Sequence, residues 1–192
     1  MFEEGFPVYL RKEVHNVLGV LSTKTYNNVR NGCLDMDWNE DYILLDGSKI
    51  AFPYRIYFLD EQEAYDKLNT KEEKMIYHCI FTRSCDGYVR EKHLKAILEG
   101  DFAEWCFPYI LKLSGEYVVE LLEIIYAAFR NRDNSLFQAF CMNNPYVFRY
   151  CHSRMISYWN EYYRGKYPKY RNYVGRFLYR ECFGYTKDYD RL

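Results

Sequence analysis

Thr70-Lys-Glu-Glu-Lys-Met-Ile-Tyr-His-Cys-Ile-Phe81, followed by Asp86-Gly-Tyr-Val-Arg-Glu-Lys-His-Leu-Lys-Ala-Ile-Leu-Glu-Gly100, is where the chain turns helical. Thr70 is a good N-cap, and Glu73, three residues on, completes a capping box. Met75, Ile76, Cys79 and Ile80 then recur on one face, and the pattern stops near Cys85-Asp86-Gly87. A second helix over about Val89 to Leu98 buries Val89, Leu94, Ile97 and Leu98 and ends at Gly100.

The helical period continues downstream. A helix is predicted over about Ala103 to Leu113, with Pro108 kinking it or ending its first half. Glu116 to Phe129 carries an apolar stripe of Val118, Leu121, Leu122, Ile125 and Ala128, with Glu116, Glu120 and Glu123 along another face. Further helices are predicted at about 135–142, 146–163 and 170–183, and a polar, frayed tail from Gly184. Pro108-Tyr-Ile-Leu-Lys-Leu and Pro145-Tyr-Val-Phe-Arg-Tyr lie 37 residues apart. That spacing suits stacked helix pairs, although two copies fall short of what such arrays need.

Upstream, residues 1–69 read as mixed. Asp46-Gly47 separates two short apolar runs in Tyr42-Ile-Leu-Leu-Asp-Gly-Ser-Lys-Ile-Ala-Phe52, a hairpin signal, because glycine tolerates the positive φ of tight turns. Pro53 cannot donate to a ladder, so Tyr54 to Phe58 is an edge strand or an exit from the sheet. Val8 to Leu21 fits a strand or a short helix equally. The expected fold is therefore α+β. A small section over 1–69, with a β-hairpin near 42–58, precedes a predominantly α-helical body of antiparallel, repeat-like helix pairs over 70–192. One compact domain is expected overall.

Composition narrows the function classes. The chain has 192 residues, enough for a sizeable core, and 20% aromatic residues, including 22 tyrosines. Only 10 glycines and 5 prolines argue against a collagenous or linker-rich chain, and a net charge of −1 exerts no global pull on polyanions. The acidic N-terminus lacks the pattern of a signal peptide, and Val118 to Phe129, the most apolar stretch, is too short to span a bilayer. Seven cysteines, an odd number, fit buried free thiols in a reducing compartment. A soluble cytoplasmic protein with no membrane partner is expected.

The charge is unevenly spread. Residues 144–192 hold ten Lys or Arg against four Asp or Glu, together with eleven of the tyrosines and Trp159. Tyr, Trp and Arg are enriched where partners bind tightly. The candidate partner-binding residues are Arg154, Trp159, Tyr162, Tyr163, Arg164, Lys166, Lys169, Arg171, Arg176 and Arg180. The expected function is non-enzymatic: binding of a macromolecular partner, a protein first, by a basic, ring-rich helical face. RNA or single-stranded DNA is the alternative, since cations track phosphates and rings stack on bases. Two plainer readings compete. In one, Tyr150, Tyr158, Tyr162 and Tyr173 are core rings with their hydroxyls at the rim; in the other, the cations pair with Glu116, Glu120 and Glu123.

Other constellations carry less. The two helices flanking Cys85-Asp86-Gly87 match a DNA-reading helix pair only in outline, because Glu91 and Glu99 dilute the charge of Arg90, Lys92, His93 and Lys95. His78, Cys79, Cys85 and His93 are zinc-ligand types, but adjacent His78 and Cys79 point about 100° apart on a helix. The same holds for Cys151-His152 as a nucleophile and base. Asp35, Asp37, Glu40 and Asp41 lack the alternation of a calcium loop. No Gly-x-Ser-x-Gly, phosphate-binding loop or His-Glu-x-x-His occurs. No catalytic residue, metal or cofactor is assigned, and an enzymatic function would require a pocket in which distant polar groups converge.

Overall fold

The structure is a computed structural model and describes residues 2–30, 33–34 and 41–188. Asp35, Asp37 and Glu40 of the acidic cluster, the Cys33 side chain and the end of the tail lie outside the described residues. The fold is mostly helical with a minor sheet. The chain divides into two compact units, Met1–Tyr42 with Ser48–Trp105, and Ile43–Gly47 with Cys106–Leu192.

In the first unit, the stretch left open between strand and helix is helix α1, Arg11–Val20. Strand β1, Cys33–Leu34, and strand β3, Lys49–Ile50, belong to this unit, and strand β2, Tyr42–Ile43, spans the division at Ile43. β2 and β3 pair around the expected turn, where the Gly47 N–H donates to the Leu44 carbonyl at 3.0 Å and Gly47 adopts φ +84°. After Pro53 the chain does form a strand, β4, Arg55–Ile56, antiparallel to β1. Helix α2, Gln62–Tyr65, leads to α3, Lys71–Phe81, and α4, Gly87–Glu99.

The capping box at Thr70 is present. The Glu73 N–H donates to Thr70 Oγ1 at 3.1 Å, and the Thr70 N–H returns a bond to Glu73 Oε2 at 3.2 Å. Asn16 Nδ2 of α1 donates to Glu73 Oε1 at 2.8 Å, so a buried carboxylate both starts α3 and ties it to α1. That bond and those from the Asn69 and Thr70 amides hold the carboxyl below its ordinary range. α4 begins two residues earlier than the apolar period alone indicates, because Asp86 caps it by accepting from the Tyr88 N–H at 2.9 Å. α1 and α4 both pack on α3, around buried Val14, Val17, Ile76, Ile80, Leu94 and Ile97.

The second unit holds α5, Phe107–Ser114; α6, Val119–Phe129; α7, Ser135–Asn143; α8, Pro145–Tyr158; and α9, Val174–Phe177. Pro108 neither kinks nor ends a helix. It lies in the first turn of α5, where no intrahelical N–H bond is due. Pro145 starts α8 in the same way. The two proline-led segments then diverge: α5 stops at Ser114, while α8 runs on to Tyr158 and into a π-helical turn, Trp159–Tyr163. α5 packs on α6 and α8, and α6 packs on α9. A Cβ on Gly115, just after α5, would lie 3.1 Å from the Cys151 backbone of α8, so the glycine permits this close approach. Phe107, Phe129, Phe137, Phe140, Phe148, Tyr179 and Phe183 build the aromatic core, with Phe137 and Phe183 centroids 4.4 Å apart. Cys106, Cys141, Cys151 and Cys182 are buried free thiols, as is Cys79 in the first unit, and Cys85 is a half-buried one.

Candidate functional site

Tyr146, Tyr150, Arg154, Tyr158 and Tyr162 recur every fourth residue along α8 and the π turn after it, so each neighbours the next along the helix. Tyr146 and Tyr162 are 62% and 63% exposed, and Tyr150 and Tyr158 are partly covered. Arg154 braces the row. Its Nη1 donates to the Tyr150 hydroxyl at 3.1 Å, its Nη2 to the Tyr158 hydroxyl at 2.6 Å and its Nε to the Gly115 carbonyl at 3.2 Å. The guanidinium also lies over both rings, 5.6 and 5.4 Å from their centroids. Tyr158 and Tyr162 stack at 6.1 Å, and exposed Tyr117 leans on both at 6.1 and 6.4 Å.

Trp159 and Tyr163 are committed to the fold. Trp159 Nε1 donates to the Tyr167 carbonyl at 3.0 Å and its ring meets Tyr170. The Tyr163 hydroxyl donates to the Tyr117 carbonyl at 2.7 Å and accepts from the Val119 N–H at 3.1 Å, which satisfies an orphan donor at the start of α6. Burial pushes this hydroxyl's pKa up.

Beyond the π turn, Arg164, Lys166, Lys169, Arg171 and Arg180 are exposed, and Arg176 is half-buried over Phe177. Among the described residues none of these six makes an ion pair; Arg164 bonds Asn160 at 3.1 Å. Glu116 is buried, whereas Glu120 and Glu123 of α6 are exposed and act on Lys166 only at longer range, after its contact with Tyr167, to raise its pKa. Among the described residues these six cations form no direct ion pair with Glu120 or Glu123. Of the rings read as core alternatives, only Tyr173 is buried; Tyr150 and Tyr162 are exposed and Tyr158 is intermediate. Arg176 and Arg180 instead lie in electrostatic range of Tyr170, whose hydroxyl is pushed up to about 12 by burial.

The structure thus brings Arg154 and Tyr162 into one connected cluster and adds Tyr117, Tyr150 and Tyr158. Tyr150, Arg154, Tyr158 and Tyr162 follow from the four-residue spacing, which a helical projection of 150–162 displays. Tyr117 carries no comparable signal, because it reaches the row only through the packing of α5 and α8.

A second constellation sits in the first unit. His78 and His93, drawn from the zinc-ligand types, meet with Nδ1 atoms 2.8 Å apart. His93 Nε2 lies 3.0 Å from Asp60 Oδ2, and His78 Nε2 lies 3.3 Å from the Tyr65 hydroxyl. Asp60 also accepts from Tyr77 at 3.0 Å and pairs with Lys92 at 2.6 Å. Burial, the other imidazole and Lys92 lower the His78 pKa to about 4, and burial lowers that of His93 against the pull of Asp60. Burial alone would raise the Asp60 carboxyl, but hydrogen bonds from His93 and Lys92 hold it well below the ordinary range. Among the described residues no group of three or more His, Cys, Asp and Glu is arranged to hold a metal ion.

A cavity of about 660 Å³ in this unit is lined by Thr25, Val29, Arg30 and Phe58 among others, and one of about 490 Å³ by His15 and Asn16 of α1 with Leu68 and Glu73; neither reaches His78 or His93. Among the described residues no helix is long and apolar enough to cross a membrane. Compared with protein-family models, with curated proteins and with solved structures, the chain matches none of them.

Proposed function

We propose that this is a non-enzymatic protein-binding protein. Its tyrosine cluster, Tyr150, Tyr158 and Tyr162 with Tyr117, meets an acidic segment of a partner protein, and Arg164, Lys166, Lys169 and Arg171 flank the contact. The braced row of rings carries this reading. Tyrosine supplies a large amphipathic contact area at a low entropic cost, and here Arg154 has already ordered two of the rings before any partner arrives. The exposed cations, which make no ion pair of their own, favour an acidic counterpart and fast association.

The rings favour protein over nucleic acid. Base recognition uses open ring faces. Tyr158 and Tyr162 stack one face on each other, and Tyr117 meets Tyr158 edge-on at 71° and Tyr162 at 56°, so part of their ring surface is already occupied. The recurrence of a proline-led helix at Pro108 and Pro145 would make the two halves of this unit a single helix-pair repeat, a reading that rests on the matched starts of α5 and α8.

Fluorescence anisotropy tests the proposal, with a labelled Glu-rich, Tyr-containing peptide and labelled single-stranded RNA and DNA at about 50 and 200 mM salt. The peptide is expected to bind, and Tyr162→Ala with Tyr117→Ala to weaken it at both salts. Micromolar RNA binding that collapses with salt and ignores the ring substitutions would replace this reading with the nucleic-acid one.

A further inference from the structure

The buried chain in the first unit has a definite direction. Asp60 is ionised, tied to Lys92 and accepting from Tyr77, so the atom facing it, His93 Nε2, must carry a hydrogen. If His93 is neutral, its Nδ1 is then a bare lone pair, and His78 Nδ1 must donate across the 2.8 Å gap. His78 Nε2 is in turn bare and accepts from the Tyr65 hydroxyl. With both rings neutral, each donor faces one acceptor, in the order Tyr65 to His78 to His93 to Asp60, the last link being a 3.0 Å contact that is not aligned as a hydrogen bond. The opposite arrangement would put a lone pair of His93 against the Asp60 carboxylate.

We propose that Tyr65, His78, His93 and Asp60 form a proton-operated clasp, which fastens the 59–65 segment onto the α3–α4 pair while the rings share at most one proton and opens when a second proton is taken up. The first proton comes from solvent and enters at His78 Nε2, the half-buried end. The Tyr65 hydroxyl rotates to accept from the new N–H, and the hydrogen between the two Nδ1 atoms can pass to His93, beside the Asp60 carboxylate. No hydrogen bond is lost. A second proton would set two Nδ1–H groups head to head at 2.8 Å, and turning either ring to relieve them would give up its outer contact with Tyr65 or Asp60, so the α3–α4 contact loosens there. The 59–65 segment would lose its two histidine contacts at the same step and be left on the Tyr77 and Lys92 bonds to Asp60, so it loosens.

The groups acting on the rings are few. Asp60 favours protonation, whereas Lys92 and each imidazole oppose it. Tyr65 faces the outer ring, with Lys74 Nζ 5.7 Å from its centroid. Tyr77 and Phe81 pack against His93, Glu61 acts on Tyr77, and Tyr26 lies in range of Asp60. α1 also packs on α3, but it ties to Glu73 and makes no hydrogen bond to either ring among the described residues. Burial keeps the pair neutral until well below pH 6.5, and the like charge of a first proton then delays the second.

Ring-nitrogen NMR of the full chain, titrated from pH 7 to pH 4, tests this. At pH 7 His78 is expected as the Nδ1–H tautomer, the less usual form, and His93 as Nε2–H. Both rings should then move together through one proton, with a midpoint below pH 5, and the folded signals of residues 59–65 should disappear only as the second proton enters. Lys92→Gln, at a largely exposed side chain, should raise the shared midpoint while leaving the fold intact. Two independent titrations near pH 6.5, an Nε2–H tautomer on His78, or a midpoint unmoved by Lys92→Gln would each overturn the proposal.

Discussion

Asn144 shows how much one buried polar side chain can organise. Its Oδ1 accepts from the Ile43 N–H at 2.7 Å, and its Nδ2 donates to the Ile43 carbonyl at 2.8 Å and the Phe140 carbonyl at 2.8 Å. The amide thus acts as a strand partner for a residue 101 positions away. Asn144→Asp keeps the shape but turns two donated bonds into contacts between oxygens. It should cost about 1–3 kcal/mol in urea unfolding, as does leaving a buried group unsatisfied. Gly175 is constrained by space instead: a Cβ there would lie 2.5 Å from Met155 Sδ and 2.9 Å from Tyr173 Cε1. Gly175→Ala is expected to destabilise by about 1–3 kcal/mol, the range for overpacking a filled site, with a lowered thermal midpoint as the readout. Neither position announces itself in the sequence, because both depend on neighbours brought in from elsewhere.

At the scale of elements, caps decide where helices start. Thr70→Ala removes the acceptor for the Glu73 N–H and loosens the return bond from Glu73, and should cost about 1 kcal/mol. The start of α6 lacks a local cap and borrows the Tyr163 hydroxyl from the π turn after α8. Tyr163→Phe should therefore cost about 1 kcal/mol and fray residues 117–120, visible as faster amide exchange at Val119. The contrast marks what is legible. A capping box lies within four residues and can be read directly, whereas a hydroxyl 44 residues away cannot. The tyrosine row lies between these cases: its spacing is written in the sequence, but the exposure of its rings is not.

At the scale of the whole molecule, pH acts mainly through the histidine pair. The His78 value in the folded state, about 4, lies below its ordinary value of 6.5, so protonation favours the unfolded chain. This contribution to stability is complete above pH 6.5 and is lost as pH falls from 6.5 to about 4. His93, lowered in the same direction, adds to the loss. Asp60, held below its ordinary value of 3.8, contributes stability that is present above that value and fails only in stronger acid. Urea midpoints measured at pH 7, 6 and 5 should fall progressively, and His78→Gln combined with His93→Gln should flatten that dependence.

The sequence by itself determined the helical body, the Asp46-Gly47 turn, the cap at Thr70 and the concentration of charge and rings after residue 144. Each depends on residues close together in the chain, where periodicity, φ preference and capping chemistry act locally. Tertiary structure alone decided that Pro108 begins a helix, that Tyr163 caps another, that Glu116 is buried and that His78 and His93 face each other on Asp60. Those outcomes depend on which surfaces meet after long loops close, and burial and hydrogen-bond pairing fix them only once the packing is complete.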